Sequence, residues 1–68
     1  MKRDYIYTDA IFKVEMVKTT IAGNTYRFTV KEVLDTAKTL GIRAASVTTA
    51  LASIHVQYAL LQRARRKG

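Results

Sequence analysis

The segment 30–51, VKEVLDTAKTLGIRAASVTTAL, constrains the fold most, because it contains a helix with a clear start and a clear end. Thr29 and Glu32 have the spacing of a capping box, in which each side chain accepts the backbone N–H of the other residue. Gly41 suits the left-handed conformation that commonly ends helices. The apolar residues between them recur at helical spacing: Val30, Val33, Leu34, Ala37 and Leu40. The sequence therefore predicts a helix over residues 30–40 and a tight turn at Gly41.

The residues before this helix alternate between apolar and polar, which predicts a β-hairpin over residues 11–29. The expected buried face of the first strand consists of Phe12, Val14 and Met16. The expected buried face of the second consists of Tyr26, Phe28 and Val30. The Ala22-Gly23-Asn24 segment between them tolerates the positive φ values of a hairpin turn. A further short strand is expected at Tyr5-Ile6-Tyr7, with Ile6 facing away from the two tyrosines.

The last third of the chain contains neither proline nor glycine before its final residue, which predicts one long helix over residues 44–66. Apolar residues recur there at alternating steps of four and three, the spacing of a heptad seam: Val47, Leu51, Ile54, Tyr58 and Leu61. A break near His55 is the alternative, because the residues around it are modest helix formers.

The size of the chain favours self-association. A single domain of 68 residues buries only about 60% of the surface that its unfolded chain exposes. The sequence has no cysteine, so disulfides and thiolate metal sites cannot reinforce the fold. We therefore expect a homodimer, whose interface would be formed by Leu51, Ile54, Tyr58 and Leu61.

The charge of the chain is strongly asymmetric. The formal net charge is +7, from 12 basic and 5 acidic residues. All the acidic residues lie at or before Asp35, whereas six basic residues follow it. A solvated, solubilising surface would explain the excess of charge but not its position. The asymmetry favours a polyanionic partner, such as nucleic acid, at the C-terminal half.

The residues around Gly41 resemble the helix-turn-helix DNA-binding superfamily. In that pattern a small residue stands four positions before the turn glycine, apolar residues flank the glycine, and a Val or Ile follows six positions after it. The corresponding residues here are Ala37, Leu40, Ile42 and Val47. Together with the predicted hairpin and helices, this gives an α+β fold in which an N-terminal β-hairpin is followed by a helix-turn-helix with a long C-terminal helix. The alternative is an ordinary helical hairpin in which Gly41 only turns the chain.

The resemblance also implies which residues would contact duplex DNA. The second helix would present Ala44, Ala45, Thr48 and Thr49 to the bases, with Arg43 at its N-terminus. Phosphate contacts would come from Lys31, Lys38, Arg43, Arg63, Arg65, Arg66 and Lys67. The sequence departs from the pattern at Arg43, where a capping Ser or Thr is usual, and Ser46 is available to cap a helix that starts later. The C-terminal cluster could also be only a solvated helix end.

The sequence does not favour an enzyme. His55 is the only histidine, no metal-ligand spacing surrounds it, and no glycine-rich phosphate loop is present. We expect no cofactor, no metal, no small-molecule substrate and no membrane span, and we expect the protein to be cytoplasmic. The expected function is that of a small DNA-binding regulator of phage or plasmid type. An interaction protein for an acidic host protein, and a binder of RNA or single strands that stacks bases on Tyr26 and Phe28, are the alternatives.

Overall fold

The fold is of the predicted α+β class and consists of a three-stranded antiparallel sheet followed by three helices. The computed structural model describes residues 4–67, and side chains within residues 4–65. The elements are β1 (Tyr5–Thr8), β2 (Glu15–Ile21), β3 (Asn24–Thr29), α1 (Val30–Thr39), α2 (Val47–Leu51) and α3 (Ile54–Lys67). No helix in this part of the chain combines the length and the apolar character needed to cross a bilayer.

The β2–β3 hairpin and the short N-terminal strand are both present. The strand order is β1-β2-β3, with β1 and β3 each paired to β2. Ala22 and Gly23 form the tight turn with φ values of 53° and 84°, and Ile21 pairs with Asn24 across it. Two consecutive positive φ values are typical of the type I′ turn, whose twist matches that of the flanking strands. The predicted turn at residues 22–24 is confirmed.

The predicted start and buried face of the first hairpin strand are wrong. The strand begins at Glu15, and residues 9–14 form a loop in which the Asp9 carboxylate accepts the backbone N–H groups of Ile11 and Phe12, each at 2.8 Å. Phe12 is 74% exposed and Val14 is also exposed. The strand instead buries Val17, Thr19 and Ile21. Because side chains alternate between the faces of a strand, these residues and Met16 lie on opposite sides of the sheet.

Helix α1 begins and ends almost where the sequence predicts. The backbone N–H of Glu32 donates to Thr29 Oγ1 at 3.0 Å, the first half of the expected capping box. The Glu32 carboxylate lies 3.6 Å from Arg63 Nη1 on α3. At the other end, Gly41 has φ 75°, its N–H donates to the Lys38 carbonyl, and the N–H of Ile42 donates to the Ala37 carbonyl. This pair of bonds is the Schellman motif, which satisfies the last carbonyls of the helix.

The prediction of one helix over residues 44–66 is wrong, because the chain breaks at Ala52-Ser53 and forms α2 and α3. The side chain of Gln57 stabilises the break, since its Nε2 donates to the Leu51 carbonyl at 2.6 Å. In a continuous helix that carbonyl would accept the N–H of His55. The side chain therefore replaces a backbone bond, and α3 leaves α2 in a new direction. The predicted alternative of a break near His55 is close to what is observed.

The core lies between the inner face of the sheet and the three helices. Every element except β1 contributes fully buried apolar side chains, and Ile42, Leu61 and Ala64 pack against them partly exposed. The buried residues are Val17, Ile21, Phe28, Val33, Ala37, Val47, Ala50, Leu51, Val56 and Leu60. The opposite face of the sheet is therefore turned away from the helices.

Candidate nucleic-acid interface

Helix α2 is short and carries a well-formed N-cap. Ser46 has extended backbone dihedral angles, and its Oγ accepts the backbone N–H of Thr49 at 3.2 Å. The two side-chain oxygens of Ser46 and Thr49 also lie 3.1 Å apart, within hydrogen-bonding distance. The helix thus begins later than residue 44, because the hydroxyl that caps it is at position 46. This is the later start that Ser46 offered as an alternative.

The exposed side of α2 is formed by Thr48 and Thr49, since Val47, Ala50 and Leu51 are buried in the core. Both threonines are therefore open to solvent, as a role in base contact would require. Their methyl groups can contact thymine methyls, and a hydroxyl can form a single hydrogen bond with a base edge.

The other expected base contacts lie outside the helix. Ala44 and Ala45 belong to the segment that precedes α2, so the prediction that they lie on the second helix is wrong. Ala44 is half-buried against the core, whereas Ala45 and Arg43 are exposed. Ala45 remains accessible at the entrance to α2, and Ala44 mainly anchors the loop.

Lys38 and Arg43 come together beside this entrance. They line one depression of about 410 Å³ together with Leu34, Asp35, Ala37, Ile42, Ala44 and Ala45. Both cations are exposed, and among the described residues neither has a carboxylate oxygen within 4.0 Å. Asp35 is the one acidic residue in the depression, and its carboxylate pairs with Lys31 Nζ at 3.3 Å. We call Lys38, Arg43, Ala45, Thr48 and Thr49 the α2 surface.

The remaining expected phosphate contacts differ from one another in their surroundings. Lys31 is paired with Asp35, and Arg63 Nη1 lies 3.6 Å from Glu32 Oε2. The Lys31–Asp35 pair is exposed and contributes little stability, so a phosphate could replace the Asp35 carboxylate, whereas Glu32 is half-buried beside Arg63. Arg65 is exposed on α3. The side chains of Arg66 and Lys67 lie outside the described residues.

The expected dimer seam is only partly on the surface. Leu51 is buried in the core, which corrects its placement in an interface. Leu61 is half-buried and packs against the core. Ile54 and Tyr58 are 70% and 62% exposed, one turn apart on α3. The break before α3 explains the difference, because it removes Leu51 from the face on which Ile54 and Tyr58 lie.

The two aromatic residues suggested for base stacking face the core, and two other aromatic residues lie on the outer face of the sheet. Phe28 is buried and Tyr26 half-buried, since both side chains face the core. Tyr5 and Tyr7 lie on the outer face of the sheet with Met16, Lys18 and Arg27, and we call these five residues the open sheet face. In the sequence, the alternation at residues 5–7 indicated that Tyr5 and Tyr7 share one face of a strand. Only the strand pairing shows that Met16, Lys18 and Arg27 lie beside them.

Comparison of this chain with protein-family models, with curated proteins and with solved structures found no match. Its function must therefore be inferred from its own side chains. His55 is exposed, and in the described part of the chain no three His, Asp or Glu side chains are grouped as metal ligands would be. The α2 surface and the open sheet face both combine exposed cations with polar or aromatic groups suited to binding.

Proposed function

We propose that this protein binds duplex DNA through the α2 surface, as a small cytoplasmic regulator of phage or plasmid type. The observation that carries the proposal is the arrangement around the start of α2. A capped helix exposes Thr48 and Thr49. Lys38 and Arg43 stand beside its entrance, and within residues 4–65 no carboxylate oxygen lies within 4.0 Å of either. Short polar side chains flanked by cations suit contact with base edges between two phosphate strands.

The chemistry of the α2 surface implies modest sequence specificity. Threonine forms at most single hydrogen bonds or methyl contacts with bases, whereas strong readout uses bidentate Arg, Asn or Gln contacts. Most of the affinity would therefore come from phosphate contacts by Lys38, Arg43 and the basic end of α3. Sequence preference would then depend largely on the shape and deformability of the duplex.

The first test is a titration of duplex DNA at 50 mM and 200 mM salt. If four phosphates are neutralised, log K should fall with log salt at a slope of about −3.6, which is about a 150-fold loss of affinity over this range. Absence of binding at 50 mM salt would contradict the proposal.

The second test places negative charge on the α2 surface. Thr48→Glu/Thr49→Glu should abolish measurable duplex binding, because both carboxylates would face phosphates. The fold should be retained, since a glutamate three residues after Ser46 completes a capping box. As the control, Ile11→Glu/Phe12→Glu adds the same charge at two exposed positions in the loop before β2. This variant should bind DNA far more tightly than Thr48→Glu/Thr49→Glu. Equal loss in the two double variants would show that only total charge matters and would remove the role of α2.

We also propose that the protein forms a homodimer through Ile54 and Tyr58. Two large apolar side chains lie exposed one turn apart on α3, and a small fold without disulfides gains most from covering them. A two-fold interface would place the same two residues of each subunit against one another. Two α2 surfaces would then be available for neighbouring half-sites on DNA.

A further inference from the structure

The open sheet face brings aromatic and basic side chains into one array. The register places Tyr5 opposite Lys18 and Lys18 opposite Arg27, so these three residues form a row across the three strands. Tyr7 and Met16 form the next row. Directly opposite side chains have Cβ atoms about 5 Å apart, and rows on one face are about 7 Å apart along a strand. The two rings and the two cations therefore lie within one contact area.

One tyrosine ring of the open sheet face is available to a ligand. The centroids of the Tyr5 and Tyr7 rings are 5.7 Å apart and their planes are inclined by only 20°, so the two rings are stacked. Tyr5 is 60% exposed, whereas Tyr7 is half-buried. The array and Asp9 together line an open depression of about 450 Å³. Tyr5 thus presents an aromatic surface beside this depression.

The two cations are placed at a cost to the fold. Lys18 and Arg27 are directly opposite on neighbouring strands, and like charges in this position destabilise a sheet. Both are exposed, and within residues 4–65 no carboxylate oxygen comes within 4.0 Å of either. Asp9 also lines the depression, and its carboxylate accepts two backbone N–H groups of its own loop. An anionic ligand would relieve the repulsion that the sheet leaves uncompensated.

We propose that the open sheet face binds single-stranded nucleic acid. A base stacks on the exposed ring of Tyr5, with the half-buried Tyr7 ring beside it, and the neighbouring phosphates contact Lys18 and Arg27. Single strands offer unpaired bases and phosphates in alternation, which matches a surface that combines rings with cations. A duplex keeps its bases stacked inside, where rings on a flat sheet cannot reach them. Stacking accepts every base, so the site discriminates little between sequences.

This site is independent of the proposed duplex interface. The inner face of the sheet packs against the helices, so the open sheet face points away from them. The α2 surface is formed by the helical side of the molecule. Variants of one surface can therefore lose binding while the other surface keeps it.

The test of stacking uses oligothymidylate and oligouridylate of about 15 nucleotides, a length that suits a small sheet. Tyr5→Ala should weaken binding of each strand by about 5- to 150-fold, the effect of removing one stacked ring. Tyr5→Phe keeps the ring and should bind like the original protein. Phe12→Ala is the matched control, because Phe12 is an exposed aromatic residue in the loop before β2 and belongs to none of the proposed binding surfaces. Equal affinities of the Tyr5→Ala protein and the original protein would overturn the proposal.

The test of the cations compares two double variants of identical charge. Lys18→Gln/Arg27→Gln should reduce the magnitude of the salt slope for single strands by about 1.4, because two phosphate contacts are lost. Lys38→Gln/Arg43→Gln should leave that slope unchanged and instead weaken duplex binding. Equal effects of the two variants on single strands would overturn the open sheet face as the site. Failure of duplex binding alone would remove the proposed function and leave this site standing.

Discussion

Val17 is completely buried, whereas Val14, three residues earlier, is 42% exposed. The difference arises at Asp9, whose carboxylate holds the loop before β2 and delays the strand until Glu15. Val17 then faces the core, opposite Phe28 on β3. Two valines close together in the sequence therefore differ greatly in what they contribute to stability.

We expect Val17→Ala to lower the free energy of unfolding by about 2 kcal/mol, since it removes buried methyl groups and leaves a cavity. Val14→Ala makes the same chemical change at an exposed site and should cost about 0.5 kcal/mol or less. Urea denaturation of the two variants measures the difference. Equal losses of unfolding free energy in the two variants would contradict the burial of Val17 on the inner face of β2.

Gly41 is the second residue on which local structure depends, because its φ is 75°. Gly41→Ala should destabilise the protein by about 1 kcal/mol, although an added Cβ would meet no atom within 4 Å. Gly41→Asn should cost less, because asparagine tolerates the left-handed region better than alanine. Thermal denaturation gives the order. A Gly41→Ala protein as stable as the original protein would contradict the Schellman motif at the end of α1.

Helix α2 is stabilised by groups other than its own backbone hydrogen bonds. Five residues are too few for a helix to be stable alone in water. The Ser46 hydroxyl satisfies one end, the Gln57 amide satisfies the other, and three buried side chains fix the helix on the core. The orientation of Thr48 and Thr49 follows from these contacts.

Ser46→Ala should lower the free energy of unfolding by about 1 kcal/mol, the usual effect of losing an N-cap. Ser46→Asp should preserve stability, because its carboxylate can accept the same N–H. Ser53→Ala is a suitable control, since Ser53 precedes α3 and its hydroxyl makes no hydrogen bond among the described residues. Chemical denaturation of the three variants provides the comparison. Losses of similar size at Ser46 and Ser53 would show that the cap contributes nothing specific.

Local signals made α1 and the hairpin turn predictable from the sequence. The cap at Thr29, the apolar period and Gly41 all lie within or beside the helix that they define. The break between α2 and α3 was not predictable in the same way. It has no proline or glycine, and it depends on the Gln57 side chain reaching back to the Leu51 carbonyl.

The two candidate surfaces also differ in how far the sequence predicts them, because one depends on local signals and the other on the pairing of strands. Thr48 and Thr49 belong to a helical period that is visible in the sequence, and both are exposed. The open sheet face required the register between β1, β2 and β3, which is set by tertiary pairing. The expected burial of Phe12 failed because the side-chain bonds of Asp9 ended the alternation that the sequence showed.

One small core supports the two proposed binding surfaces and leaves part of α3 uncovered. Ile54 and Tyr58 are among the most exposed large apolar side chains of the described residues. The net charge of +7 opposes association of two copies, so a dimer should be favoured by added salt.

Sedimentation at about 100 µM protein should give twice the chain mass if α3 forms the dimer interface. Ile54→Glu/Tyr58→Glu should give a monomer, because it places four carboxylates in the two-fold interface. Ile11→Glu/Phe12→Glu makes the same change at two exposed apolar positions outside α3 and should leave the dimer intact. A monomeric original protein under these conditions would contradict the dimer.

Under the proposed function, α2 and the segment before it contact duplex DNA. Backbone amide chemical shifts followed during titration with a duplex of about 15 base pairs show which residues the DNA contacts. We expect the largest changes between Lys38 and Thr49, with smaller changes at the end of α3. Unchanged amides in this segment, while the duplex binds elsewhere, would overturn the proposed interface.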